Sequence, residues 1–534
     1  MQMVIEHEYP ASQWEIDGRR VVDFALDAYG RLELSIRASR PCKIHVAIGE
    51  VLTATRRLNA TPGGYRYYAE TELDVIAGEM RVFFPIPEHV APNPALRKCY
   101  PPPEAGGEIA PFRYVEYDVF DGELSPIRHN IHAPFDDNAA DFHCDNERLN
   151  RIWALCKHTI KATTPFGLYI DGNRERLPYE GDAYINALGH YCCDADYRIA
   201  HDTISRLLET PTWPTEWSLV MPMIVLDYLK YSGDKKSVQE WLDAGLEKKL
   251  LLDDLDPVTG LLRSVPYGNR TRDIVDWPIS ERDGYEFGTA NFVPNAYLVW
   301  AFRAMAMLTQ DGHWSNRANE LLHQMEKRFW RNNGLFGDSL ESSHTSLHTA
   351  MFALCFDIAR PEARPAFCKF MESRGMACSV YGAQFLLDAC YENGMEEHAF
   401  RLMTATGLRS WQNMLDKGAT ITMEAWDDSC KPNQDWNHAW GAAPANIIPR
   451  RLCGIRPFET DRFYFDPHPQ GLRSFHLKAP SRFGSFLVDF DGKGYDIQIP
   501  EGTEVAYLGP RPSEKSIFLP PGTHHIPLLK ENQA

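Results

Sequence analysis

The sequence predicts a multidomain α and β chain in the order β, then α, then β. Three observations carry this. Up to about residue 140, apolar and polar residues alternate with period two between turn residues, the mark of half-buried strands. From about 143 to 455 the apolar residues instead recur at helical spacing. After Pro457 the alternation returns. The expected units are a β-sandwich over 1–140, a helical domain over 141–456 and a second β-sandwich over 457–534.

In the first unit Leu32, Leu34 and Ile36 alternate with polar neighbours, and Ile44, Val46 and Ile48 alternate with Lys43, His45 and Ala47. The run Phe112–Phe120 is rich in aromatic and β-branched residues, which suit a pleated surface. Pro101-Pro102-Pro103 predicts a loop, and 134–138 a linker. In the second unit Leu149, Ile152, Trp153, Cys156 and Ile160 fall on one helical face, with Asp145 upstream as a cap. Ala296–Leu308 and Ala318–Trp330 predict further helices, the latter with Leu321, Leu322, Met325 and Phe329 as its apolar face. Helix follows helix without a strict repeat, which points to paired helices around a common core. In the last unit Ser474–Lys478, Gly484–Phe490 and Tyr495–Ile499 predict strands, with Asp491-Gly492 as a hairpin turn.

Composition narrows the function. A net charge of −18 argues against nucleic acid or an anionic membrane as partner, since both need a basic surface. No apolar run approaches the ~18 residues of a membrane span. The first residues have neither a basic nor an apolar leader segment. The expected location is cytoplasmic as the sequence stands, and periplasmic or secreted if a leader has been removed. The 12 cysteines contain no C-x-x-C pair, and H-E-x-x-H is absent, so no metal or other cofactor is expected. Cys156, Cys355 and Cys390 sit in apolar helical stretches as core residues, and the Cys192-Cys193 pair suits packing.

The most informative stretch is Tyr169–Asp182, reading Y-I-D-G-N-R-E-R-L-P-Y-E-G-D. It carries the carboxylates Asp171, Glu175, Glu180 and Asp182, while Gly172, Pro178 and Gly181 predict a loop. A second acidic and aromatic cluster follows at Glu424-Ala425-Trp426-Asp427-Asp428. Two separated carboxylate clusters in an aromatic-rich chain suit glycoside cleavage, which needs an acid at the leaving oxygen and a base or nucleophile across the sugar. Glu175, between Arg174 and Arg176, is the candidate acid, and Glu180 is its rival.

Glu175-Arg176-Leu177 and Gly181-Asp182 resemble the acid motif of the inverting α-L-rhamnosidases of glycoside hydrolase family 78, D-C-P-x-R-x-E-R-L-G-W-T-G-D. Tyr179 stands where that pattern has Trp, and Asp171 lies closer to Glu175 than in the usual form. Trp411 and the run Gly418–Asp427 resemble the second motif, P-S-W…G-A-T-T-x-W-E-x-W-D, and Asn437-His438 and Gly441 follow as its N-H…G does. The resemblance implies an (α/α)6-barrel catalytic domain between β-sandwiches, with Glu175 as general acid and Glu424 as the base that activates water. It further implies Asp171, Arg174 and Asp182 on rhamnose hydroxyls, with Tyr179, Trp217, Trp277 and Trp426 as aromatic contacts. His438 would bond a sugar hydroxyl or the base. Each tryptophan also suits plain core packing, and a lone histidine a structural role. The implied activity is exo-acting release of terminal α-L-rhamnose with inversion, from an oligosaccharide, polysaccharide or glycoside. The alternatives are a helical-barrel enzyme for another terminal sugar, or a non-catalytic glycan-binding relative. The sequence sets no oligomeric state.

Overall fold

The 20-residue strand Arg19–Ala38 organises the first segment. Along its first part it pairs with Ser12–Ile16 and Ala110–Asp118, and along its second with Gly122–His132 and Gly78–Phe83. The ladder shifts between Asp23 and Ala28, where Ala25 adopts φ 70°. Such a bulge bends a strand and sharpens its twist. The eight-stranded sheet thereby folds over one core, in which Leu32, Leu34 and Ile36 meet Ile44, Val46, Ile48 and Val115. The computed structural model describes residues 1–92, 98–509 and 517–528.

Among these residues there are thirteen α-helices. Six are buried nearly all round: Glu180–Cys193, Thr215–Ser232, Phe292–Thr309, Leu347–Cys355, Val380–Glu392 and the short Pro444–Ile447. Each packs on the next, and the last packs on the first, so they close a ring. Helices between them are amphipathic. Arg198–Glu209 buries Ile199, Ala200, Thr203, Ile204 and Leu207, and Gly312–Phe329 buries Trp314, Ala318, Leu321, Met325 and Phe329. A helix apolar all round belongs inside, and one with a single apolar stripe belongs on the outer layer. The alternation of the two kinds produces a barrel of helical hairpins. No helix among the described residues is long and apolar enough to cross a membrane.

Several helix boundaries differ from the sequence expectation. The first helix, Glu147–Ala162, is capped by Asn146, whose side chain accepts from the Leu149 amide. Asp145 is engaged elsewhere, holding the Arg473 amide and guanidinium at 3.0 and 2.7 Å. Its apolar stripe of Leu149, Ile152, Trp153, Cys156 and Ile160 is buried as the spacing predicts. The helix expected over Ala318–Trp330 starts earlier, because the Asp311 side chain caps it at His313, and it stops at Phe329. Leu322 on its expected apolar face is only half-buried.

The last segment forms a four-stranded and a five-stranded sheet. Phe475–Ser481 and Gly484–Phe490 pair as a ladder, and the Asp491 side chain closes the next turn on the amides of Lys493 and Gly494. The five-stranded sheet takes its outer strand from far upstream. Asp141–Cys144, just before the first helix, pairs with Phe475–Lys478.

Candidate active site

The segments that enter four of the six inner helices at their N-terminal ends open on one cavity of about 160 Å³. Asp171, Arg174, Glu175 and Tyr179 come from the segment leading into Glu180–Cys193, and Asp182 from its first turn. Trp213 and Trp217 flank the start of Thr215–Ser232, Arg270, Ile274 and Trp277 precede Phe292–Thr309, and Glu424, His438 and Trp440 precede Pro444–Ile447. Helix N-termini carry partial positive charge, so this end of the ring is the one suited to a cluster of carboxylates.

The Tyr169–Asp182 stretch is not a loop throughout, since a helix begins at Glu180. Its irregular part is closed on itself. The Asp171 amide donates to the Leu177 carbonyl at 2.8 Å, and the Asp171 carboxylate accepts from the Leu177 amide at 2.9 Å. Gly172, at φ 143°, passes so close to Asp435 that an added Cβ would lie 3.0 Å from its Cγ. Arg176 is buried and reaches the N-terminal sheet, bonding Asn173 at 3.0 Å, Glu108 at 2.7 Å and the Ile109 carbonyl at 2.9 Å. At the helix start, Gly181 is required by Trp217, because a Cβ there would sit 2.6 Å from the indole Cε2.

The second cluster is anchored from the same side. Asn437 accepts from the Tyr29 hydroxyl at 2.8 Å and the Asn173 amide at 2.7 Å, and donates to Glu50 at 3.0 Å. Asn437 thus ties both acidic segments to the N-terminal sheet.

Within the cavity Arg174 grips Glu424 through both terminal nitrogens, at 2.5 and 2.8 Å, and its Nε lies 3.7 Å from Glu175 Oε1. A single guanidinium therefore touches both carboxylates. Burial works to lower the Arg174 pKa, but Glu424 outweighs it and holds the group charged. Lys431 stands 3.4 Å from Glu424 on another side. Glu424 is 1% exposed. The Glu175 side chain retains 24% exposure and accepts from the Tyr179 hydroxyl at 2.6 Å. Burial, together with Asp171 and Glu175, raises the Tyr179 pKa, keeping the hydroxyl a donor.

Asp171 is buried, and burial followed by the nearby Glu175 charge raises its pKa well above the carboxylate range. Its Oδ2 has no partner among the described residues. His438 lies between Asp182 at 3.0 Å and Asp435 at 3.1 Å, one on each ring nitrogen. Burial alone would lower its pKa, but the two carboxylates raise it well above the ordinary value, so the ring is an imidazolium. Asp435, lowered by His438 and Arg174 against the effect of burial, is its counter-ion, while burial raises Asp182.

Glu424, Asp435 and His438 present ligand atoms within 4.8 Å of one another. They do not suit a cation, because both histidine nitrogens carry protons directed at carboxylates and Glu424 is already gripped by Arg174.

Two of the residues considered from sequence lie away from the cavity. Trp426 is fully buried, its indole N–H donating to the Cys378 carbonyl at 2.8 Å and its ring set edge-on to Trp411. It packs behind the wall and presents no face to a ligand. Glu180, the rival acid, is buried against Thr212, which donates to it through both amide and hydroxyl. Conversely, Trp213, Arg270, Ile274 and Trp440 line the cavity without having been singled out. Trp440, two residues beyond His438, was within reach of the motif. Arg270 sits on an exposed hairpin with no periodic signal.

Comparison with known proteins follows this geometry. Residues 137–452, more than half of the chain, match the model of the bacterial alpha-L-rhamnosidase 6 hairpin glycosidase domain. A search of curated proteins by sequence finds no match. Among solved structures, the GH78 rhamnosidase of Bacillus sp. GL1 is similar at TM-score 0.72 and 17% identity, over 93% of this chain and 54% of that one. The alpha-L-rhamnosidase from Dictyoglumus thermophilum gives 0.78 and 16%, over 97% and 63%. The Streptomyces avermitilis enzyme, solved with L-rhamnose, gives 0.78 and 15%, over 99% and 54%. At these identities the likeness is one of fold, and this chain spans about half to two-thirds of the length of those relatives. The match over the helical barrel is what assigns the family: the chain belongs to the bacterial α-L-rhamnosidases of the six-hairpin glycosidase type.

Proposed function

We propose that the chain is an exo-acting glycoside hydrolase that releases terminal α-L-rhamnose with inversion. The observation that carries this is the placement of Glu175 and Glu424 at one small cavity, both in contact with Arg174. At about 160 Å³ the cavity is well below the roughly 300–1,000 Å³ of pockets that take drug-sized ligands, and it suits one sugar ring. Its tryptophans offer apolar surface for the methyl group of a 6-deoxy sugar, with buried carboxylates for the hydroxyls.

In the proposed reaction Glu175 gives its proton to the glycosidic oxygen as the bond to the anomeric carbon breaks. Water attacks that carbon from the opposite face and loses a proton to Glu424. Arg174 and Lys431 both contact the Glu424 side chain and fix its position. Tyr179 positions Glu175 through its hydroxyl. The unpartnered Asp171 oxygen and the His438–Asp182 pair supply hydrogen-bonding groups to the sugar.

Proton NMR of the products of a synthetic α-L-rhamnoside tests activity and stereochemistry together. The β-anomer should appear first. First appearance of the α-anomer rejects inversion. Release from other p-nitrophenyl glycosides but not from the α-L-rhamnoside rejects the sugar.

A further inference from the structure

Of the residues lining the cavity, Arg270 is the exposed one and Trp213 beneath it is half-buried, so the two stand at its rim, where the rest of an exo enzyme's substrate would leave. Arg270 projects from the short hairpin Pro266–Tyr267 and Arg270–Thr271. Its guanidinium lies 4.2 Å over the Trp213 ring, and that ring also stacks with Tyr267 at 5.0 Å. A cation held by its face on an aromatic ring keeps its in-plane N–H donors free for a ligand.

Trp213 is also shared with a neighbouring cavity of about 440 Å³, lined by Lys248, Lys249 and Arg272 with Glu209 as the carboxylate among them. Arg272 is paired with Asp254, and Lys249 is buried, donating to the Leu207 carbonyl. Arg270 and Lys248, one on each cavity, are exposed and make no side-chain hydrogen bond or ion pair among the described residues. In a chain of net charge −18, Arg270 thus offers an uncommitted cation at the rim of the active-site cavity, with Lys248 a second one on the neighbouring cavity.

We propose that the sugar on the leaving-group side is a uronic acid, its carboxylate bound by Arg270, and that the natural substrate is an acidic glycan continuing toward Lys248. This rests on the rhamnosidase reading of the site and names the substrate class. An Arg–carboxylate pair adds fixed geometry as well as charge, so Arg270 acts as a specificity residue.

The test compares a rhamnosyl-glucuronate disaccharide with its methyl ester, in which one carboxyl loses its charge and gains a methyl group. With the wild-type chain at low salt, kcat/KM should favour the acid by about tenfold, the effect of one charge-assisted hydrogen-bonded pair. The preference should shrink at high salt, fall to near one in Arg270→Gln and survive in part in Arg270→Lys. Equal rates on acid and ester, or a preference unchanged in Arg270→Gln, overturn the inference. Calorimetric binding of both disaccharides to Glu424→Gln reads the same ratio without turnover. Failure of the rhamnosidase reading would show differently, as no cleavage of acid, ester or p-nitrophenyl α-L-rhamnoside.

Discussion

Arg174 holds Glu424 by a two-pronged contact at 2.5 and 2.8 Å, across 250 residues of sequence. Lysine has one ammonium and cannot reproduce that fork. Arg174→Lys should therefore lower kcat on p-nitrophenyl α-L-rhamnoside by about 10²-fold, in the range of losing one well-placed catalytic interaction. Steady-state kinetics alongside a melting curve checks this, and turnover near that of the wild type would reject the role.

Glu175→Gln and Glu424→Gln remove the proton donor and acceptor while keeping side-chain shape. Each should reduce kcat by about 10²–10⁴-fold. Rhamnose affinity, read by calorimetry, should change far less. A variant with near-normal kcat would remove that glutamate from its assigned role.

His438 is an imidazolium enclosed by Asp182 and Asp435. Replacing it by Gln leaves buried carboxylates without their cation, which costs about 3–5 kcal/mol in comparable buried pairs. Unfolding in denaturant should show that loss, and Asp435→Asn added to His438→Gln should restore part of it.

Gly181→Ala places a methyl group against the Trp217 indole. Alanine is the better helix former, so helix propensity alone predicts a gain of about 0.5–1 kcal/mol. The clash should instead displace the tryptophan, lowering melting temperature and raising KM. An unchanged KM would mean the indole is not a fixed part of the wall.

Stability should depend on pH through Asp27 and Glu50, buried together where the N-terminal sheet meets Asn437. Burial raises Asp27 from 3.8 to about 6, and burial with the Asp27 charge raises Glu50 well above its ordinary value. A carboxyl raised in the folded state favours folding fully at pH below its unfolded value, and that contribution is lost as pH rises through the folded one. Asp27→Asn abolishes this titration at one partner. Its melting temperature should match the wild type near pH 4 and exceed it above about pH 6. Parallel melting curves across that range would reject the shared burial penalty.

What could be read from sequence was what local pattern encodes. The stripe from Leu149 to Ile160 and the alternation from Leu32 to Ile48 are set by the periods of helix and strand, and both are buried accordingly. The inner helices carry no stripe, being apolar all round, so ring closure is not written in any single one of them. Trp277 and Trp426 illustrate the limit at the site. Both adjoin an aspartate in an acidic segment, yet one lines the cavity and the other is sealed behind it, decided by the Cys378 carbonyl far along the chain. The Arg174–Glu424 contact and the bracing through Asn437 are products of tertiary approach. Arg270 has neither periodicity nor motif to mark it.

The pairing of Asp141–Cys144 with Phe475–Lys478 has a mechanical consequence. The first of these strands leads into the barrel and the second lies beyond its exit, so their ladder fastens the ring at its seam like a buckle. Parting the last inner helix from the first would strain that ladder, and rigidity at the seam is passed directly to the Glu175 and Glu424 segments that flank it.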